Sequence, residues 1–286
     1  EVDIQIATAK QYPRDLASTV NKIETYATMD KETAEDCFYV LRRKDANGND
    51  NIIEGLSVRM AEIIAGAWGN LRVQTRIIGN DGRMITAQAI CHDLETNFAV
   101  SKEVKRRITN KYGKTYSEDM QVVTGNAAAS IAFRNAVLTV IPKAVTKKII
   151  NNVKQVALGQ AIDVETARKN CLANFAKAGV TEAMICQYLG IKTVAEIDKE
   201  RLFELRATWN AIKEGTTTVQ ETFVQPAIEA KAQEEAAKKA TTAQEKAAAA
   251  MAQATGAAPA VPANVDPETG EIKEEKNDKK SSINKK

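Results

Sequence analysis

Basic residues recur at alternating positions after residue 70, and nucleic-acid phosphates are a ligand that such a pattern can bind. Arg72 and Arg76 lie four positions apart with Gln74 between them, so a strand would present all three on one face. A second basic run, residues 98–108, divides its cations between two faces in the same way: Lys102 with Arg106, and Lys105 with Arg107. Cations aligned on one face of a sheet neutralise phosphates and release their counterions.

The polar segment of residues 109–119 adds side chains that suit single-stranded nucleic acid. Lys111 and Lys114 alternate there with Tyr112 and Tyr116. Tyrosine rings can stack on exposed bases without selecting a sequence. Together with the preceding strands, this segment predicts a surface that binds single strands.

The net charge is uneven along the 286 residues, although the total is only +3. Residues 1–70 contain 8 basic and 12 acidic residues, whereas residues 71–160 contain 14 basic and 6 acidic ones. The basic excess includes Lys147 and Lys148, which follow Pro142 in a helical run. A surface of this sign favours nucleic acid as the ligand. The alternative is an ordinary solvated sheet, on which lysine and arginine protect the edges.

Arg134 is the only charged residue between Asp119 and Lys143, in an otherwise apolar helical run. Its planar guanidinium suits a phosphate, which would place Arg134 on the path of the nucleic acid. The other interpretation is a structural arginine that pairs with a carboxylate or extends to the solvent.

Asp93, Glu103 and Lys105 form a pattern that resembles the metal site of restriction-type nucleases. Two carboxylates on neighbouring strands can hold Mg²⁺, while the lysine positions a water molecule. The spacing is permissive, so a Mg²⁺-dependent nuclease is an alternative to a binding protein. The sequence contains no P-loop, Rossmann or zinc-protease motif, and His92 is its single histidine. The leading interpretation is therefore a protein that catalyses no reaction and needs no cofactor.

Hydrophobic periodicity predicts an α+β fold with an antiparallel sheet. A helix after Pro13, a strand or hairpin from Phe38 and a helix after Ser57 come first. A three-stranded antiparallel meander follows, because turn residues separate three alternating runs: one from Leu71, residues 84–92, and Phe98–Ile108. Helices packed with the sheet are then predicted at residues 120–141 and 143–157.

Composition divides the chain into three parts. Residues 1–160 are predicted to form an α+β nucleic-acid-binding core, and residues 161–224 a small helical interaction module. Residues 225–286 are rich in Ala, Lys and Glu and contain no aromatic residue, so we expect a disordered tail. The four cysteines form no C-x-x-C pair and no apolar run could span a bilayer, which favours a cytoplasmic protein with reduced thiols.

The meander, its basic third strand and the helix that opens with Val122–Ala128 resemble the core of phage single-strand annealing proteins, the RecT, Erf and phage Beta group. The resemblance covers residues from about 35 to 160 and depends on element order and charge. It extends into the helical part, where Gly179–Glu182 and Leu189–Thr193 are similar to C-terminal modules of phage recombination proteins.

This resemblance implies ATP-independent binding and annealing of single-stranded DNA in homologous recombination. It also implies assembly into rings or filaments, and contact of the helical module with an exonuclease or a single-strand binding protein. Besides the nuclease, a phage scaffold protein without a nucleic-acid role stays an alternative.

Overall fold

The computed structural model describes residues 1–44, 50–110, 112–159 and 164–228. Its helices are α1 (Val2–Gln11), α2 (Leu16–Ala27), α3 (Lys31–Asp36), α4 (Val58–Trp68), α5 (Glu118–Val140), α6 (Lys143–Leu158), α7 (Val164–Lys177), α8 (Glu182–Leu189) and α9 (Lys199–Lys213). Its strands are β1 (Phe38–Lys44), β2 (Asp50–Leu56), β3 (Leu71–Asn80), β4 (Met84–Asp93) and β5 (Phe98–Arg107). A 3-10 turn at Val194–Glu196 and a π-helical segment at Gln220–Val224 also occur. The predicted α+β class is confirmed.

Side-chain caps fix where several helices begin. Asp15, Asp30 and Ser57 each accept a hydrogen bond from a backbone N–H in the first turn of α2, α3 and α4. Thr181 and Asp198 do the same for α8 and α9. Each cap satisfies a donor that the helix itself leaves unpaired.

β3, β4 and β5 form the predicted antiparallel meander, with β4 in the centre. α5 packs across one face of this sheet, and every second residue of β4 from Ile85 to Asp93 is buried beneath it. Small side chains allow the close approach: Ala128 and Ala132 of α5 are fully buried, and a Cβ on Gly125 would lie 3.0 Å from Ile85 Cδ1. The alternate residues of β4 lie on the face that α5 leaves uncovered.

β1 and β2 form a separate antiparallel hairpin, against which α9 packs. Phe38 of β1 meets Phe203 of α9 edge-on, with ring centroids 5.3 Å apart. Phe203 belongs to a hydrophobic cluster that includes buried residues of α2, α4, β4, α5 and α6. Leu202 and Leu205 of α9 belong to a second cluster, shared with α7 and α8. α9 therefore joins the two clusters.

The predicted division of the chain falls largely beyond the described ranges. The boundary at residues 160–161 lies outside the described residues, and so does the predicted tail from residue 229 onward. Residues 225–228, which the composition assigns to the tail, instead continue a helix. All described residues belong to one compact unit, which extends over residues 1–230.

Two short helices, α1 and α3, are not predicted from the sequence pattern. α1 opens with Val-Asp-Ile-Gln-Ile, whose β-branched alternation is typical of a strand. Within the described ranges, no single helix has both the length and the hydropathy needed to cross a membrane. α5 and α6 pass that test only as a pair, which is bent by 116°.

The four cysteines are free, and Cys37, Cys91 and Cys171 are buried. Burial raises the pKa of Cys37 to about 12 and the pKa values of Cys91 and Cys171 to about 11, so these thiols stay protonated and unreactive. Partial burial and the nearby Glu182 and Glu196 carboxylates raise the pKa of Cys186 as well, but its thiol is partly exposed. We therefore expect a thiol reagent at about pH 8 to label Cys186 well before the other three cysteines in the folded protein. Mass spectrometry of the labelled peptides, with a urea-unfolded control, tests this, and rapid labelling of native Cys37 would contradict it.

Candidate nucleic-acid interface

β3 places Arg72 and Arg76 on the face of the meander that α5 leaves uncovered. They lie opposite His92 and Gln88 of β4, which alternate with the buried residues of that strand. Gln74 lies between them on the same face, as the sequence predicts. We call this uncovered face of β3, β4 and β5 the basic face.

β5 completes the basic face with Lys105 and Arg107. They lie opposite Thr86 and Met84 of β4, again on the side away from α5. Glu103, two residues before Lys105, is the one carboxylate among the strand residues of this face. Four cations therefore share the face with a single acid in the three described strands.

The cations lie along the two outer strands of the sheet. Arg72 and Arg76 are about 13 Å apart along β3, and Lys105 and Arg107 are about 7 Å apart along β5, at roughly 3.3 Å per residue. Arg76 Nε donates a hydrogen bond to Gln88 Oε1 over 3.0 Å, which directs the guanidinium across the sheet. A depression of about 420 Å³ lies there, lined by Gln74, Thr75, Arg76, Gln88 and Ile90.

The N-terminal helix contacts one end of the basic face. Arg72 Nη1 donates a hydrogen bond to Gln5 Oε1 over 2.8 Å and lies 3.7 Å from Glu1 Oε1. A phosphate that binds Arg72 would compete with these two contacts of α1.

The segment after β5 folds back against the turn between β3 and β4. Thr109 and Thr115 form an antiparallel bridge, and Thr115 Oγ1 donates a hydrogen bond to the Gly82 carbonyl over 2.9 Å. The Ile108 N–H donates to the Arg83 carbonyl over 2.8 Å. The predicted polar loop is therefore a short hairpin at one end of the basic face.

This hairpin presents two of the predicted residues to the solvent. Lys114 is exposed, and Tyr112 is 82% exposed. Tyr116 is half-buried, and Lys111 lies outside the described residues. Arg83 is an exposed cation at the same end that the sequence analysis missed. Its position directly after the predicted turn was the available signal.

Lys102 and Arg106 lie on the other face of β5. They are opposite Ala89 and Ile85, on the side that α5 covers, and both are partly buried. Arg106 Nη1 donates a hydrogen bond to the Thr216 carbonyl over 3.2 Å. The register thus confirms that Lys102 and Arg106 face away from Lys105 and Arg107. These two predicted residues therefore do not belong to the basic face.

Lys147 and Lys148 are exposed on α6. α6 packs against α2, α3 and α9 rather than against the meander. The structure therefore does not bring these two lysines together with the cations of the basic face.

Arg134 is buried, at 6% exposure, and does not lie on the basic face. Its guanidinium carbon lies 4.5 Å from the centroid of the Tyr39 ring, and its Nη1 lies 3.5 Å from Glu214 Oε2. A phosphate would have no access to a guanidinium in this position. The geometry favours the structural interpretation, in which the arginine pairs with a carboxylate.

The strand register separates Asp93 from Glu103. Asp93 lies opposite Phe98, five residues from Glu103, and points to the buried face, whereas Glu103 lies on the basic face. Both Asp93 oxygens accept hydrogen bonds from the Arg14 guanidinium, over 2.6 and 2.8 Å. In the parts of the chain that the structure describes, no three potential ligands converge on a metal position. The predicted Mg²⁺ site is therefore not formed by this pair.

The chain matches no protein-family model, no curated protein and no solved structure.

Proposed function

We propose that this chain binds single-stranded DNA on the basic face and anneals complementary strands without ATP, in recombination of the phage type. The observation that carries the proposal is the strand register. It aligns Arg72, Arg76, Lys105 and Arg107 on the face that α5 leaves uncovered, where the three described strands contribute a single carboxylate.

The basic face supports annealing because it can hold a DNA backbone while the bases stay accessible. The cations of β3 and β5 lie on the two sides of a central strand that carries no lysine, arginine or carboxylate there: its residues are Met84, Thr86, Gln88, Ile90 and His92. Phosphates bound at the outer strands release counterions, and this release favours binding. The bases above β4 can then pair with a second strand, and no covalent bond changes.

Other parts of the proposal come from the resemblance to the RecT, Erf and Beta group. They are assembly of several copies, and contact of α7–α9 with an exonuclease or a single-strand binding protein. A cytoplasmic location belongs to the same proposal.

Replacing Arg72, Arg76, Lys105 and Arg107 together by alanine is expected to weaken single-strand binding on the order of 100-fold at low salt. Each phosphate contact contributes about 0.7 to the slope of log affinity against log salt, so the slope should decrease by about 3. Fluorescence anisotropy with a labelled oligonucleotide between about 50 and 200 mM salt measures both quantities. The annealing rate of two complementary labelled strands should decrease in parallel.

A charge-matched control replaces four exposed helical lysines by alanine: Lys22, Lys169, Lys177 and Lys213. This control should keep the salt slope and the annealing rate of the parent, and circular dichroism shows whether both variants are folded. The proposal is wrong if the basic-face variant binds as tightly as the parent at every salt concentration. It is also wrong if both variants lose the same affinity.

A further inference from the structure

Two strand edges of the described fold carry exposed isoleucines and have no strand beside them. β2 is the outer strand of the hairpin, and its Ile52 and Ile53 are 51% and 37% exposed. β3 is an outer strand of the meander, and its Ile77 and Ile78 are 46% and 42% exposed. An open edge with apolar side chains is a template for pairing with another chain.

We propose that β2 of one copy pairs with β3 of a second copy of this chain. Each copy would then use its hairpin on one side and its meander on the other, and repetition of this contact closes a ring or extends a filament. This strand contact would be the interface between copies in the assembly that belongs to the proposed function. Only the role of the assembly rests on the proposed function. The strand pairing itself requires no nucleic acid.

The other outer strands of the two sheets are less suited to a partner strand. β5 carries Lys102, Glu103, Lys105, Arg106 and Arg107 in one run, and charges of this kind protect an edge. β1 lies under α9, with Phe38, Val40 and Leu41 buried. Exposed isoleucines thus distinguish the edges of β2 and β3.

The charges of these two edges are complementary. An antiparallel register that places Ile53 opposite Ile77 also places Glu54 opposite Arg76. Glu54 already contacts Lys154 over 2.7 Å in its own chain. Arg76 would exchange its hydrogen bond to Gln88 for a place in this ion pair. Two β3 edges in contact would instead bring Arg72 and Arg76 of both copies onto adjacent strands, where like charges destabilise the pairing. Unlike edges are therefore favoured over a symmetric dimer.

A second apolar surface borders the β3 edge at the start of α5. Met120, Val122 and Val123 are 48%, 62% and 58% exposed. Asn80 Nδ2 donates a hydrogen bond to Gln121 Oε1 over 3.1 Å, which holds this turn of α5 beside the end of β3. A strand added to β3 would shield part of this surface, and contiguous apolar patches of this kind mark protein interfaces.

Sedimentation velocity without nucleic acid tests the contact. We expect the parent to sediment as species larger than the 31.2-kDa monomer, and Ile53→Lys and Ile78→Lys each to lose these species. The matched control is Ile228→Lys, because Ile228 is 58% exposed and follows the π-helical segment, which packs against α8, and this variant should assemble like the parent. The inference is overturned if the parent is monomeric, or if both edge variants assemble as the parent does.

Cross-linking tests which edges meet. Ile53→Cys and Ile77→Cys are introduced into separate chains that also carry Cys186→Ser, which removes the partly exposed native thiol. Residues opposite each other in antiparallel strands have Cα atoms about 4.5–5.5 Å apart, within the range of a disulfide. Oxidation of the mixed chains should give linked dimers that neither chain gives alone. Equal linking in Ile77→Cys alone, or no linking in the mixture, would contradict the proposed register.

The two proposals can fail separately. If the protein assembles, loses its assembly on edge substitution and binds no DNA, the strand contact is supported and the proposed function is wrong. If the parent binds DNA as a monomer, the DNA-binding proposal is supported and the strand contact is wrong.

Discussion

Replacing Asp93 by alanine is expected to lower the free energy of unfolding by about 3 kcal/mol, because it leaves the Arg14 guanidinium buried without its main partner. The side chains of Arg14 and Asp93 are only 11% and 6% exposed. Trp68 Nε1 and the Glu95 N–H donate to the same carboxylate. Glu95 Oε1 stays 3.0 Å from Arg14 Nε, so the loss should lie at the low end of the range for broken buried pairs.

The control for this prediction is Glu103→Ala, the other carboxylate of the predicted metal pair. Glu103 is exposed on the basic face, so its removal should change the free energy of unfolding by less than about 0.5 kcal/mol. Urea denaturation with and without Mg²⁺ measures both variants. Equal, Mg²⁺-dependent losses would show that the two residues share a metal and would contradict the register.

Asp93 should also contribute to the acid sensitivity of the fold. Burial alone would raise the pKa of Asp93, but the hydrogen bonds and charge of Arg14 outweigh burial, and the pKa is lowered from its ordinary 3.8. The stabilisation is therefore present above that pH and is lost as the pH falls through the folded-state pKa. We expect the free energy of unfolding to decrease more steeply below pH 3.8 in the parent than in Asp93→Ala.

Replacing Arg134 by leucine is expected to cost about 3–5 kcal/mol in the free energy of unfolding, because Glu214 then stays buried without a countercharge. The Glu214 carboxylate keeps one hydrogen bond, from the Val58 N–H over 2.7 Å. Thermal or urea unfolding measures the loss. A variant that folds like the parent and loses only DNA affinity would support the phosphate-binding interpretation of Arg134 instead.

The loss in Arg134→Leu should depend on pH. Burial raises the pKa of Glu214 above its ordinary 4.5, against the opposing effects of the Val58 N–H and Arg134. A carboxyl with a raised pKa destabilises the fold as the pH rises from 4.5 through the folded-state pKa. Arg134→Leu should therefore be less destabilised near pH 4.5 than at neutral pH, and adding Glu214→Gln should recover part of the loss at neutral pH.

The basic face was predictable in part, because the side to which a strand residue points is a local property. Alternation alone assigned Arg72 to the face of Arg76 and Lys105 to the face of Arg107. Which face α5 would cover was not predictable, since it depends on the packing of Gly125 against Ile85.

The carboxylate partners of the buried arginines were beyond sequence reasoning for a different reason. Arg14 is 79 residues from Asp93, and Arg134 is 80 residues from Glu214, so no local spacing signals either pair. Neither arginine has its partner carboxylate nearby in sequence, and only the tertiary fold decides whether such a residue meets a carboxylate or a ligand.

Because α9 contributes side chains to both hydrophobic clusters, we expect the two clusters to unfold together. Asn210 Nδ2 donates hydrogen bonds to the carbonyls of Glu35 and Phe38, over 3.0 and 3.1 Å, so removing α9 would leave buried acceptors as well as an exposed aromatic ring. Amide protons of β1 and α9 should therefore exchange with solvent in the same opening event. For the same reason, we do not expect the helices after residue 164 to behave as an independent module that can be moved to another protein. Their removal would expose Phe38 of the β1–β2 hairpin, which would then need another surface to cover it.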